Sequence, residues 1–254
     1  MAQAHGPKIA TTGILMYLDA SNTKSYSGSG TTWNSLTSGY NGTLVDGPTF
    51  TNNHPASYFT FDGTNDTMTT TIPITSTPAL SDWSYEVWTS LTAWPTAVSP
   101  PNGFGRTDRS GVLLGAAYYS GAALYWYGNS SGNACTMYSF LRGNDAYRAS
   151  TGYSMALNTI YQFVMVNRYS NNQIEFFVNG VSYATMDAAT QEYNSSNISG
   201  AGNIGIARAQ VDGGGESNYS HYPGRVYLAR IYTNALTSSQ VSQNFQALRG
   251  RFKI

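Results

Sequence analysis

The sequence is poor in charge. Asp, Glu, Lys and Arg make up 10% of its 254 residues, against about 25% in an average globular chain, and thirteen basic residues cancel thirteen acidic ones. Nucleic-acid binding draws on clustered Lys and Arg that displace counterions. Here the ten Arg and three Lys are scattered, apart from Arg249, Arg251 and Lys253 near the C-terminus. No nucleic acid and no membrane surface is therefore expected as a partner. Cysteine is nearly missing: Cys135 stands alone, cannot close an internal disulfide, and leaves stability to burial. No run approaches the ~18 apolar residues of a membrane span, and Met1–Ala10 lacks the apolar stretch of a secretory leader. These absences describe a soluble protein made and assembled in a cytoplasm.

What the chain does have is apolar and aromatic material, 41% hydrophobic with twenty Tyr and ten Phe. All-β sandwiches reach roughly 250 residues as one unit, so one domain is expected. Apolar segments recur between Gly, Asn, Asp, Ser and Pro, the pattern of short strands. Strands are predicted at 13–19, 57–62, 67–72, 83–91, 112–118, 124–127, 160–167, 174–178, 181–185, 203–208 and 226–232. In 83–91, Trp83, Tyr85, Val87 and Leu91 share a face by period two, and Ser84, Glu86 and Ser90 alternate with them in outward positions. Phe163–Val166 is apolar throughout, as in a central strand buried on both faces. Asn179-Gly180 tolerates the positive φ angles of a type I′ turn and predicts a hairpin.

No helical period competes until the C-terminus. There Thr237-Ser-Ser-Gln240 reads as a capping box, Val241, Phe245 and Leu248 share a helical face, and Gly250 is placed to end the helix near 249. Residues 94–111, 187–202 and 209–223 read as long loops, and Met1–Thr12 as an extended arm preceding a domain over 13–254. The fold class that results is all-β: a two-sheet antiparallel sandwich with a short C-terminal helix.

Several spaced motifs carry a resemblance. Gly13-Ile-Leu-Met-Tyr-Leu-Asp-Ala20, Gly30-Thr-Thr-Trp33, Tyr40-Asn-Gly-Thr-Leu44 and Tyr58-Phe-Thr-Phe-Asp-Gly-Thr-Asn-Asp66 resemble the opening of concanavalin-A-like, laminin-G-type domains. Trp83–Trp88, Phe177–Gly180, Gly202–Gly205 and Gly224–Thr237 are similar to the later strands and closing helix. The resemblance implies a jelly-roll sandwich. The arrangement is also similar to structural proteins of tailed phages of marine and freshwater bacteria. It thus implies a virion component, capsid decoration or fibre, whose partners are other virion proteins, copies of itself, or a host-surface glycan. A free lectin and a sandwich-type glycoside hydrolase are the alternatives.

The hydrolase is tested by its carboxylates. Glycoside hydrolysis normally uses two, roughly 5–9 Å apart, and sandwich glucanases place them in Glu-x-Asp-x-x-Glu. The four Glu here, Glu86, Glu175, Glu192 and Glu216, have no Asp two residues later, and the sequence reads as a non-enzyme. Gly128–Gly132 matches Gly-x-Ser-x-Gly but has no helix after it, so a hairpin turn is expected. Gly200–Gly205 matches Gly-x-Gly-x-x-Gly but leads into a strand, so no nucleotide site follows. His5, His54 and His221 have no metal-site spacing.

Two candidate sites remain. Asp62-Gly-Thr-Asn-Asp66 clusters oxygens that suit a structural calcium, with Asp62 and Asp66 as carboxylate ligands. The competing reading is a turn in which Asp and Asn bond their own backbone. Tyr118, Tyr119, Tyr125, Trp126 and Tyr127 flank a Gly/Ala turn and are the candidates for a sugar-stacking platform. Alternation sends part of that set to the core.

Overall fold

The structure, a computed structural model, describes residues 8–37, 39–73, 81–95, 109–115, 122–128, 131–143, 146–149, 151–187, 203–209 and 221–254. The strands in chain order begin with β1 (Ile14–Asp19), β2 (Thr32–Trp33), β3 (Gly42–Val45), β4 (Thr49–Thr51), β5 (Tyr58–Asp62) and β6 (Thr67–Pro73). β7 (Trp83–Leu91), β8 (Arg109–Gly115), β9 (Ala122–Gly128), β10 (Cys135–Gly143), β11 (Ala146–Ala149) and β12 (Tyr153–Met155) follow. β13 (Ile160–Arg168), β14 (Gln173–Val178), β15 (Val181–Asp187), β16 (Asn203–Ala209) and β17 (Pro223–Tyr232) precede a single helix, α1 (Ser238–Phe252).

They form two antiparallel sheets. The first has eight strands in the order β15-β14-β13-β7-β17-β5-β4, with β1 beside β17. The second has nine, β11-β10-β9-β8-β16-β6-β3-β2, with β12 beside β10. Between them lies one large core in which Trp33, Phe59, Phe61, Tyr85, Trp126, Phe163 and Phe176 are fully buried. The expected sandwich is the observed one, and the Asn179-Gly180 turn has the positive φ angles foreseen, 51° and 79°, joining Val178 directly to Val181.

The helix explains what alternation alone missed. Every residue of β7 is buried, because α1 covers the outer face of the eight-stranded sheet. Val164, Val166, Phe177, Tyr232, Leu236 and Val241 form one apolar cluster beneath it. Trp88, Tyr227, Leu228, Phe245 and Phe252 form another. Trp88 stacks on both Phe245, at 5.7 Å between centroids, and Phe252, at 4.7 Å. The capping box is present as read: Gln240 N–H donates to Thr237 Oγ1 and Thr237 N–H to Gln240 Oε1. The helix does not stop at Gly250. It runs to Phe252 and ends on Lys253 in the left-handed region, since burying Phe252 against Trp88 and Tyr227 rewards another turn.

Other expectations shift. The strand placed at 112–118 corresponds to β8, which begins earlier, at Arg109, and is described to Gly115, residues 116–118 lying outside the described set; β10 was foreseen only as the far side of a turn. Of the arm, residues 1–7 lie outside the described set, while Lys8–Ala10 rest on α1. Ala10 N–H donates to Asn244 Oδ1 at 2.7 Å, and Gln243 Nε2 donates to the Lys8 carbonyl. The segments 96–108, 188–202 and 210–220 of the three long loops also lie outside it. Among the described residues, no helix is long and apolar enough to cross a membrane.

Candidate functional site

The outer face of β9 and β10 is built by alternation. Leu124 and Trp126 turn inward and are fully buried, while Tyr125 is half-buried and Tyr127 is 40% exposed on the opposite side. β10 continues the pattern, because residues directly paired across antiparallel strands share a face. Met137 faces Trp126 inside; Tyr138 faces Tyr125, and Thr136 faces Tyr127, outside. Three tyrosines and a threonine therefore share one outward surface. Burial, then the neighbouring Tyr127, pushes the Tyr138 phenol above its ordinary pKa.

Gly152 sets the position of Tyr138. A Cβ there would lie 2.4 Å from the ring's Cε1 and Cζ and 2.3 Å from Thr136 Cγ2. The ring thus lies over a residue with no side chain, as aromatics do above glycines on sheet edges. Neither Tyr138 nor Gly152 was among the sequence candidates; the alternation Cys135-Thr-Met-Tyr138 was the available signal.

Of the five aromatic candidates, Tyr125 and Tyr127 are brought together at this surface, and Tyr118 and Tyr119 lie outside the described residues. Trp126 is a correction. Its indole belongs to the core, 6.2 Å from the Tyr222 ring, so it presents no face to a ligand.

Glu86 is a second correction. It does point away from the sandwich core, yet it is completely buried under α1. Arg230 Nη1 donates to both its oxygens, at 3.2 and 3.1 Å. Trp88 Nε1 at 2.9 Å and Gln162 Nε2 at 2.8 Å donate to Oε1. Asn244 Nδ2 at 2.8 Å and the Tyr232 hydroxyl at 3.4 Å donate to Oε2. Burial works against the Arg230 charge, but Glu86, Tyr232 and Tyr17 outweigh it and hold the guanidinium above its ordinary value. The same burial, with Glu86, pushes the Tyr232 phenol up. Four of these donors, Trp88, Gln162, Arg230 and Tyr232, come from the sheet that carries Glu86, and Asn244 alone ties the carboxylate to α1. Glu175 is likewise ion-paired, with Arg168 at 2.9 Å, and Glu192 and Glu216 lie outside the described residues.

The Asp62–Asp66 segment is a hydrogen-bonded turn. Asp62 Oδ1 accepts from the N–H groups of Thr64, Asn65 and Asp66, and Asp66 Oδ2 accepts from Asp62 N–H at 3.0 Å. Burial raises the Asp62 pKa, but the three amides outweigh it and hold the carboxyl low. Asp66 goes the other way: burial raises it, and the charges of Asp62 and Asp46 add to that against one amide. Among the described residues, no three His, Cys, Asp or Glu side chains are grouped to hold a metal. Cys135 is buried, with its thiol pushed up to about 12 by burial, which leaves it unreactive.

Comparison with known proteins bears on the fold. The family model described as the concanavalin A-like lectin/glucanases superfamily matches residues 62–242. No curated protein sequence matches. Among solved structures, the sialidase of Trypanosoma rangeli in complex with sialic acid is similar at a TM-score of 0.58 and 14% identity, covering 94% of this chain and 33% of the sialidase. A botulinum neurotoxin type C structure, described by its dependence on two ganglioside molecules for cell entry, is similar at 0.62 and 13%, covering 93% of this chain and 51% of the toxin chain. The botulinum neurotoxin serotype C1 binding domain is similar at 0.59 and 14%, covering 93% and 52%. This chain thus spans about a third of the sialidase chains and half of the toxin chains. The expectation of a non-enzyme is corrected here. Chains that share this fold include sialidases, so at fold level the missing glucanase signature does not decide against catalysis.

Proposed function

The chain belongs to the concanavalin A-like lectin/glucanases superfamily, and on that premise we propose that it binds carbohydrate through the outer β9–β10 face. The observation that carries this reading is the outward set Tyr125, Tyr127 and Tyr138, held beside Thr136 on one rigid sheet. Sugar rings stack their apolar faces on aromatic rings, and hydroxyl-bearing side chains bond their rims. A rigid sheet presents these groups with little ordering cost. Sialidases and a ganglioside-dependent toxin among the similar structures make a sugar the ligand class to try first.

Tyr127→Ala should weaken binding on a glycan array about tenfold or more, the scale of one lost ring contact near 1.4 kcal/mol, while the melting profile stays put. A wild-type protein that binds neither neutral nor sialylated glycans overturns the reading.

In its finer form, the domain sits on the exterior of a phage virion, where glycan binding would serve contact with the host surface. The motif resemblance, and a neutral surface rich in Tyr, Thr and Ser, support that setting. Locating the chain and its copy number in an electron-microscopy map of purified particles tests it; particles lacking the chain would remove it.

A further inference from the structure

The nine-stranded sheet's tyrosine surface does not stop at β10. Ser154 of β12 is paired with Thr136 and is exposed on the same face. One residue before β12, Gly152 underlies Tyr138. From its other side the Gly152 carbonyl accepts a hydrogen bond from the Tyr183 hydroxyl at 3.2 Å. Tyr183 belongs to β15, the edge strand of the opposite sheet, so this one peptide joins the two sheets along their open side.

Tyr183 is unusual in being both fixed and exposed. Its ring meets Tyr153 edge-on at 5.1 Å and 82°, and Phe176 at 5.9 Å and 88°. Behind these, Tyr153, Tyr161 and Phe163 are themselves in mutual contact. Yet 43% of Tyr183 remains open to solvent. A side chain needed only to seal the sandwich would gain by burying that area. An aromatic ring locked by two neighbours and a hydrogen bond, with that much of its surface left open, is preorganised for stacking.

We propose that Tyr183 is a second stacking subsite, continuous over Gly152 with Tyr127 and Tyr138, and that together they take an extended neutral polysaccharide rather than a single terminal sugar. The inference rests on the glycan-binding reading. The surface crosses from β9 over β10 to β12, two strand steps of about 4.8 Å each, before reaching Tyr183; one pyranose ring cannot cover that span. Thr136 and Ser154 supply hydroxyls along the way. Among the described side chains of this run none is charged, and an anionic sugar would need a cationic partner.

The test is an affinity series on the whole chain, using immobilised glucan, mannan and galactan oligosaccharides of increasing length beside sialylated glycans. Wild-type affinity should climb with length for one neutral series. Tyr183→Leu, which keeps an apolar seal but offers no ring face, should cut the longest ligand's affinity about tenfold and leave the shortest unchanged. Gly152→Ala should weaken every length, because it displaces Tyr138. Tyr183→Phe keeps the ring and should retain the length dependence, which separates stacking from sealing even if the leucine variant fails to fold. If Tyr127→Ala abolishes binding while Tyr183→Leu leaves the length dependence intact, the subsite is wrong and the glycan reading stands. Wild-type affinity independent of length, or preference for sialylated ligands, also overturns the subsite; no binding at all overturns both.

Discussion

The outer faces of the two sheets were written with the same alphabet and put to opposite uses. On the eight-stranded sheet the positions alternate with the core through Ser84, Glu86, Trp88 and Ser90, and all of them are buried, Glu86 and Trp88 by contact with α1 and Ser84 by the segment that leads into it. On the nine-stranded sheet the corresponding positions at β9 and β10 are Tyr125, Tyr127, Thr136 and Tyr138, and Tyr127 remains in water. A covered face must satisfy each polar atom internally, so Glu86 acquires donors from Trp88, Gln162, Arg230, Tyr232 and Asn244. An open face can keep its polar tips for a ligand. Tyrosine suits it because each ring is apolar in body and polar at the end.

The largest expected effect breaks the covered face. Glu86→Ala leaves Arg230 buried without its counter-charge and should cost about 3–5 kcal/mol in urea denaturation. The paired change Glu86→Leu with Arg230→Met should recover only part of that loss, since the desolvation of both charges disappears but Trp88, Gln162 and Asn244 lose their acceptor. A single variant no less stable than wild type would show that this buried ion pair does not stabilise the covered face. Next comes the hairpin tip beneath the helix. Gly180 has φ +79°, and a Cβ there would lie 2.8 Å from Phe245 Cβ, so Gly180→Ala should cost about 2 kcal/mol through left-handed strain and the pushed ring. An unchanged denaturation midpoint would count against this packing.

On the open face the contrast should reverse. Tyr127→Ala should alter stability by no more than about 0.5 kcal/mol while weakening binding about tenfold or more; a large loss of stability would mean that this tyrosine is structural. The smallest effects belong to the Asp62–Asp66 turn and are read from acid titration of stability. Asp62 is held low in the folded chain. Its contribution is present above the unfolded carboxylate's pKa, about 3.9, and is lost as pH falls through the folded value. Asp66 is held high, so its burden is absent in acid and appears as pH rises from the unfolded value through the folded one. Asp62→Asn should therefore lower stability at neutral pH, and Asp66→Asn should raise it. If Asp66→Asn instead destabilises and added calcium raises the wild-type midpoint, the turn is an ion site.

What could be read in advance was local chemistry. β7 has the bounds its alternation implied, the Asn179-Gly180 turn followed from residues that accept positive φ, and the capping box followed from Thr237 and Gln240. What could not be read was which face each element would find covered. Glu86 alternates correctly and is nonetheless buried, because fifteen residues of helix from far down the chain lie over it. Trp126 and Tyr127 are neighbours with equal claims as sugar platforms until the pairing of β9 with β10 sends one into the core. Gly152 and Tyr183 carried no motif at all. Their meeting depends on the edges of two sheets coming together, which no window of sequence contains.

The contacts of Lys8–Ala10 with α1 give the molecule a direction. Ala10 is bonded to Asn244 and Phe252 is seated on Trp88, so the N-terminal stretch and the closing helix both lie on the outer side of the eight-stranded sheet. The tyrosine face is on the other side of the sandwich. A tether attached through either end would therefore hold the domain by its back, with Tyr125, Tyr127 and Tyr138 turned outward to whatever approaches.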